Sequence, residues 1–213
     1  MRDFPFFDTE FGIASLVLKE VPYREEAYII IRSTQQPEKL IRECVSFCRM
    51  VGAEKIYARG HEYLKRYPLH SILYEMRGQA LPSAEPPDRL WPVTAETVGE
   101  WRRLLNRRMA AVDNAGTLEG SMEKEILASG GAYFVHRDGE PLGAFWLHEN
   151  EIKLIASLQP GAGERVMRTL FSLVPGEPLR LEVASTNHRA IRLYEKVGFL
   201  KTGELRRWYR IFP

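Results

Sequence analysis

The sequence predicts an α/β protein of the mixed α+β kind, with a mixed and mostly antiparallel central sheet. Asp138-Gly139 separates two apolar runs, and an Asp-Gly pair in that setting is typical of a β-hairpin. Farther along, strand-like Lys153–Ala156 leads into an amphipathic helix and then into strand-like Leu181–Ala184. This order joins parallel strands through a crossover, so the sheet contains both strand directions.

The elements of the second half follow in order, because polar, glycine or proline turns separate runs of strand or helix periodicity. The predicted elements are a strand at Leu90–Val93, helices at 94–111 and Met122–Ser129, strands at Gly131–His136 and Leu142–Leu147, and a strand ending near Ser157.

The first half has the same strand–helix–strand order, with strands at Ala27–Ile31 and Lys55–Ala58. Its apolar positions precede their counterparts by a constant 126 residues, as in the pairs Leu40 and Val166, Cys48 and Val174, and Ala58 and Ala184. The offset predicts a duplication, with chance agreement between amphipathic helices as the alternative. Proline-rich residues 80–88 predict a linker. The predicted domains are therefore residues 1–80 and 89–213, joined by a linker at 81–88.

The two halves differ where chemistry is expected. The first-half counterparts of Gly161, Gly163, Asn187 and Tyr194 are Gln35, Pro37, His61 and Pro68. Pro37 has no amide to donate, and the glycines that allow close backbone approach are missing. Residues 1–80 are therefore interpreted as a degenerate half-domain with a structural or substrate-shaping role.

Composition limits the partners. The chain has 213 residues, 45% hydrophobic and 27% charged, as in an ordinary globular protein. A net charge of +2 gives no argument for nucleic acid or an anionic membrane. No apolar run approaches a membrane span and no leader opens the sequence, so we expect a cytoplasmic protein. Cys44 and Cys48 lie on the apolar stripe of a predicted helix, as small fillers rather than a redox pair or metal site.

A glycine-rich turn joins the predicted strand ending at Ser157 to the next helix. Helix N-termini offer unpaired amides and a favourable dipole to phosphate groups. Pro160 suits the first turn of such a helix. The amides of Gly161, Ala162, Gly163 and Glu164 are therefore the predicted phosphate cradle.

The most informative stretch is residues 187–199, which reads Asn-His-Arg-Ala-Ile-Arg-Leu-Tyr-Glu-Lys-Val-Gly-Phe. Asn187 is predicted to cap the helix, and Gly198 to end it in a left-handed conformation. Helical spacing brings Asn187, Ile191, Tyr194 and Gly198 near one face.

This stretch closely resembles the C-terminal signature of GNAT-type, acetyl-CoA-dependent N-acetyltransferases, Asn-x-x-Ala-x-x-Leu-Tyr-x-Lys-x-Gly-Phe. The resemblance implies a GNAT fold for residues 89–213, a partial GNAT-like domain before it, acetyl-CoA as co-substrate and no metal. It implies that the glycine turn binds the pyrophosphate and that Asn187 contacts the pantetheine arm. In the family loop an Arg or Gln is followed by two residues and then by Gly-x-Gly. Here Gln159 lies only two positions before Gly161, so this loop is one residue short.

In the resembled family the strand before the loop separates from its parallel neighbour, and pantetheine fills the gap. Carried over, the backbone of Ile155, Ala156 and Ser157 pairs with pantetheine. One of these amides also polarises the thioester carbonyl, where negative charge develops.

The resemblance makes Tyr194 the acid that protonates the leaving thiolate, and a phenol of pKa about 10 is protonated at neutral pH. The alternative is an ordinary packed tyrosine. Glu151 is the candidate base, near His148 and Glu149, although hairpin turns often carry such residues. A water-mediated base or an amine that arrives neutral is also open. Asp113 and Glu119 lie in a loop that shapes the acceptor site in similar enzymes.

The predicted function is transfer of an acetyl group from acetyl-CoA to a primary amine by direct attack in a ternary complex. The acceptor is a small-molecule or peptide amine, with no nucleic acid or membrane partner. The oligomeric state is open, a homodimer included. Two alternatives remain: a non-catalytic sensor that binds acyl-CoA, and a plain interaction protein.

Overall fold

The structure is a computed structural model that describes residues 3–81 and 86–212. Half of the predicted linker, residues 82–85, lies outside the described residues. The strands are β1 (Phe4–Thr9), β2 (Gly12–Val17), β3 (Glu26–Thr34), β4 (Lys55–Arg59), β5 (Leu69–Gln79), β6 (Arg89–Pro92), β7 (Ala132–Arg137), β8 (Glu140–His148), β9 (Glu151–Ser157), β10 (Pro178–Ala184) and β11 (Leu200–Phe212). The α-helices are α1 (Val21–Arg24), α2 (Pro37–Met50), α3 (Val98–Met109), α4 (Glu123–Ser129), α5 (Gly163–Phe171) and α6 (His188–Lys196).

The chain divides into two compact units. The first contains residues 3–72 and 205–212, and the second contains the described residues from 73 to 204. The unit boundary therefore falls inside strand β5, and not at the proline-rich segment. The cause is strand pairing that local composition does not reveal: residues 73–79 of β5 pair with β10, while Tyr209–Phe212 of β11 pair with β4.

In the first unit, β1, β2 and β3 form an antiparallel meander, and β3 runs parallel to β4 across α2. The apolar stripe of α2 packs on one face of this sheet, with Leu40, Ile41, Cys44 and Cys48 buried. Both thiols are free, and burial raises the pKa of each to about 12. The two cysteines therefore act as small apolar fillers, as predicted.

In the second unit, β6, β7, β8 and β9 are antiparallel in chain order, β9 runs parallel to β10, and β10 pairs antiparallel with β5. The mixed, mostly antiparallel sheet is confirmed. The hairpin between β7 and β8 is the predicted one, and both Asp138 and Gly139 have positive φ.

Helices cover both faces of this second sheet. On one face, α5 and α6 bury Val166, Met167 and Leu170. On the other, α3 and α4 bury Trp101 and Ile126. In the part of the chain that the structure describes, no helix combines the length and the apolarity needed to cross a membrane.

Candidate active site

The central feature of the second unit is a gap between two parallel strands. β9 and β10 pair only where they begin, at Glu151 with Arg180 and Ile152 with Leu181. Beyond that register the strands separate, and a cavity of about 500 Å³ is lined by the end of β9, the glycine turn and helices α5 and α6. In open α/β sheets, ligands bind at the carboxyl ends of parallel strands. The gap therefore places a ligand-sized space where such ligands bind.

The wall of the cavity contains most of the residues that the sequence predicted to bind the cofactor or to act in catalysis. These are Ile155, Ala156 and Ser157 of β9, Gly161, Gly163 and Glu164 of the glycine turn, and Asn187 and Tyr194 of the last helix. Residues from three separate segments of the sequence thus meet in one space.

The glycine turn lines this cavity with three of the four residues whose amides were predicted to bind phosphate. Helix α5 begins at Gly163, later than Pro160 suggested, and its first intrahelical bond runs from Val166 N to Ala162 O. The amides of Gly163 and Glu164 therefore have no acceptor within the helix.

Ala162 does not belong to the cradle. Its amide donates to Gln159 O at 3.2 Å and the residue is buried outside the cavity wall. Gly161 lies in the left-handed region, with φ of 82°, which turns the chain between Gln159 and the helix. The Ala162 amide, one of the predicted donors, is therefore used within the turn itself.

Asn187 caps helix α6 as predicted. Its Oδ1 accepts a hydrogen bond from Ala190 N at 3.2 Å. Because the oxygen is engaged, the two side-chain N–H groups are the donors that Asn187 has for a ligand. At the other end of the helix, Gly198 has a φ of 96°, which confirms the predicted left-handed stop.

Tyr194 contributes a buried phenol to the cavity wall. The residue is 8% exposed, and burial raises the pKa of its hydroxyl to about 12. Its ring packs beside Phe199, with centroids 6.2 Å apart. The hydroxyl therefore carries its proton throughout the physiological pH range, as an acid must before it donates.

Comparison with known proteins supports the same fold. Over 94% of its length the chain superposes on the GCN5-related N-acetyltransferase of Anabaena variabilis, at 11% identity, a TM-score of 0.61 and 60% of that chain. The chain also superposes over 94% of its length on the GCN5-related N-acetyltransferase of Sphaerobacter thermophilus, at 11% identity and a TM-score of 0.56. That match covers 77% of the Sphaerobacter chain. The chain has the GNAT fold.

A curated relative matches in sequence over a short stretch. The N-alpha-acetyltransferase RimI of Mycobacterium tuberculosis is 41% identical over 51 residues, which is 24% of this chain and 32% of RimI. The match therefore spans about a third of the length of RimI. No protein-family model matches the chain.

The structure does not bring Glu151 to the GNAT-fold cavity. Its carboxylate is held by Lys153 Nζ and Arg180 Nη2, each at 2.9 Å, and it lies outside the cavity wall. Burial acts to raise the pKa of Glu151, but the two cations outweigh it and hold the pKa below the usual range. Glu151 is therefore a weak base, and its carboxylate lies outside the cavity wall.

The carboxylate on the cavity wall belongs to Glu164, and two cations neutralise it. Lys196 Nζ lies 2.6 Å from one oxygen and Arg168 Nη2 lies 2.8 Å from the other. Hydrogen bonds from Lys196 and Arg168 hold the pKa of Glu164 below its usual range. Within residues 3–81 and 86–212, no group of three or more His, Cys, Asp or Glu side chains is placed to hold a metal ion.

Arg108 is a cavity residue that the sequence did not reveal. Arg108 is exposed, and it lines the cavity from the end of α3. Its Nε and Nη2 donate to Ser157 O at 3.0 and 2.6 Å, at the end of β9. The contact joins residues 49 positions apart, so no local pattern signals it. Asp113 and Glu119, the predicted acceptor-loop acids, do not line the cavity.

Proposed function

We propose that the chain is an N-acetyltransferase that moves an acetyl group from acetyl-CoA to a primary amine. The observation that carries the proposal is the separation of β9 from β10, with the glycine turn at one end of the gap and Tyr194 on its wall. A gap of this kind exposes strand backbone that would otherwise pair with a neighbour. Pantetheine, which carries amides along an extended arm, is suited to take that pairing.

The glycine turn is proposed to hold the pyrophosphate. The amides of Gly161, Gly163 and Glu164 supply the donors, and the positive end of the α5 dipole adds to them. Neutralisation of the Glu164 carboxylate by Lys196 and Arg168 limits the repulsion that an acid would otherwise exert on phosphate.

The transfer step is proposed to be a direct attack. The amine nitrogen forms a bond to the thioester carbonyl carbon, and a backbone amide of residues 155–157 stabilises the oxygen as it becomes negative. The carbon–sulfur bond then breaks, the sulfur takes the electron pair, and the Tyr194 hydroxyl supplies its proton. The amine attacks in its neutral form, which it has on arrival or after losing a proton to water. Its nitrogen then loses one more proton to water as the amide forms, and solvent returns a proton to Tyr194.

The acceptor is proposed to be a small-molecule or peptide amine. The similarity to RimI makes a peptide α-amine one class to test. Arg108, Met109 and Val112 line the cavity from the end of α3 and the residues that follow it, a region from which similar folds shape the acceptor site.

Residues 3–72 are proposed to be a degenerate copy of the segment of the second unit that binds the cofactor. β3, α2 and β4 repeat the order of β9, α5 and β10. However, β3 and β4 stay paired from Glu26 with Lys55 through Ile30 with Arg59. Because these strands do not separate, the copy has no gap for a pantetheine arm.

The test is release of free thiol from acetyl-CoA with a panel of amines, together with calorimetric titration of coenzyme A. Tyr194→Phe is expected to lower turnover by about 10²–10⁴-fold, the usual range for lost acid catalysis, with affinity for coenzyme A nearly unchanged. Tyr23→Phe, which alters an exposed tyrosine of the other unit, is the matched control. Equal turnover for Tyr194→Phe and the wild type would contradict the role of the hydroxyl.

A non-catalytic acyl-CoA sensor is the second candidate. Two observations favour it: the cavity carboxylate of Glu164 is already engaged, and Arg108 occupies the carbonyl of Ser157. The sensor binds coenzyme A in the titration but releases no thiol with any amine. An enzyme shows both.

A further inference from the structure

The first unit has a second sheet face, opposite α2, that the proposed chemistry does not use. Tyr28 of β3, Tyr57 of β4 and Trp208 of β11 form a buried aromatic cluster there, separate from the core under α2. The Tyr28 ring lies 5.0 Å from Trp208 and 5.4 Å from Tyr57, between centroids. His70 stacks on Tyr57 at 4.1 Å.

Arg59 lies at the edge of this cluster without a complete set of partners. Its guanidinium carbon is 5.3 Å from the centre of the Trp208 ring. Its Nε is buried, and among the described residues it has no hydrogen-bond partner. A buried polar group without a partner is rare in folded proteins, and an unseen ion or water is a common reason for one.

Two cations, Arg206 and Arg32, act on the charge of Arg59. Strand register places Ile30 opposite Arg59 and opposite Ser15, and the Nε of Arg32 donates to Ser15 Oγ. Arg206 lies on the same face of β11, two residues before Trp208. Burial, followed by the charges of Arg206 and Arg32, lowers the pKa of Arg59.

The acid on this face of β3 is engaged elsewhere. Glu26 is buried, and it accepts a hydrogen bond from the Tyr28 hydroxyl at 2.7 Å. Arg24 lies 3.2 Å from the same carboxylate and Lys55 lies 3.8 Å from it. Glu26 is four residues before Ile30, whereas Arg59 is opposite Ile30, so this carboxylate does not neutralise Arg59.

We propose that Arg59, with Arg32 and Arg206, binds an oxyanion on this face, either a phosphate or a carboxylate. The planar guanidinium donates in a fork that matches both groups. Binding there supplies the unpaired Nε of Arg59 with an acceptor and offsets the repulsion among the three cations. Arg32 is already oriented, because its Nε donates to Ser15 Oγ at 2.9 Å.

The test is thermal unfolding and calorimetric titration of the full chain with sodium phosphate and with sodium succinate, against sodium chloride at equal ionic strength. Coenzyme A is present throughout, so that the glycine turn of the other unit is filled. The phosphate and succinate arms show which oxyanion binds. Arg59→Gln is the variant, and Arg42→Gln, an exposed arginine paired with Glu38 on α2, is the control.

The wild type and Arg42→Gln are expected to show saturable binding, and Arg59→Gln to bind about tenfold or more weakly, since a hydrogen bond to a charged group is worth about 1.5–3 kcal/mol. If Arg59→Gln fails to fold, Arg32→Gln takes its place, with severalfold weakening expected. Equal responses in all variants, or a response that follows ionic strength alone, would overturn the proposal.

Discussion

Asn187 has one observed role and one proposed role, and substitutions can separate them. Its Oδ1 caps helix α6 through Ala190 N, while its side-chain N–H groups are the proposed donors to pantetheine. Asn187→Ala removes both. Asn187→Asp and Asn187→Ser keep an oxygen that caps a helix but remove the amide donors.

The two losses have different magnitudes. Replacing a capping Asn by Ala costs about 0.5–2 kcal/mol, and each kcal/mol lowers Tm by about 2–4 °C in a chain of this size. The lost neutral hydrogen bond to pantetheine is worth about 0.5–1.5 kcal/mol, or about a two- to tenfold rise in Kd.

The assays are thermal unfolding without ligand and calorimetric titration of coenzyme A. Asn187→Ala is expected to lose both stability and affinity, while Asn187→Asp and Asn187→Ser lose affinity alone. Full affinity in Asn187→Asp and Asn187→Ser would refute the donor role. An unchanged Tm in Asn187→Ala would refute the cap.

Three further predictions concern the cavity wall and the strand packed against it. A Cβ on Gly143 would lie 2.7 Å from Ala156 O, so Gly143→Ala should destabilise by about 1–3 kcal/mol in chemical unfolding; the control Gly203→Ala, where a Cβ meets nothing within 4 Å, should match the wild type, and equal losses in both would contradict the packing. Burial raises the pKa of Tyr194 from 10 to about 12, so its contribution to stability, about 2–3 kcal/mol, is present below pH 10 and lost as pH rises from about 10 to about 12. Wild type and Tyr194→Phe unfolded across that range should therefore differ in slope, and parallel curves would show that the phenol titrates normally. Glu164→Gln removes a negative charge beside the glycine amides and should tighten coenzyme A binding by about two- to fivefold, whereas weaker binding in titration would mean that the carboxylate positions its cations for phosphate.

Features set by neighbours in the chain were predictable. The Asp138-Gly139 turn, the Asn187 cap and the Gly198 stop each depend on a few adjacent residues. The succession of β6, β7, β8 and β9 and the helical crossover to β10 followed from the same local signals.

Features set by distant residues were not predictable. Residues 73–79 join the second unit because they pair with β10, about a hundred positions later. Arg180 binds the carboxylate of Glu151 from 29 positions away, and Arg108 contacts the carbonyl of Ser157 at the end of β9. The Ala162 amide was predicted as a phosphate donor, but within the shortened turn it donates to Gln159 O instead.

The central claim is that the opened strand pair and the glycine turn hold coenzyme A. Backbone amide NMR of the labelled chain during a titration with coenzyme A tests it most directly. The amides of Gly161, Gly163 and Glu164, and those of residues 155–157, are expected to shift together and to saturate at one Kd. Saturable binding that leaves these amides unmoved, or no binding at all, would contradict the claim.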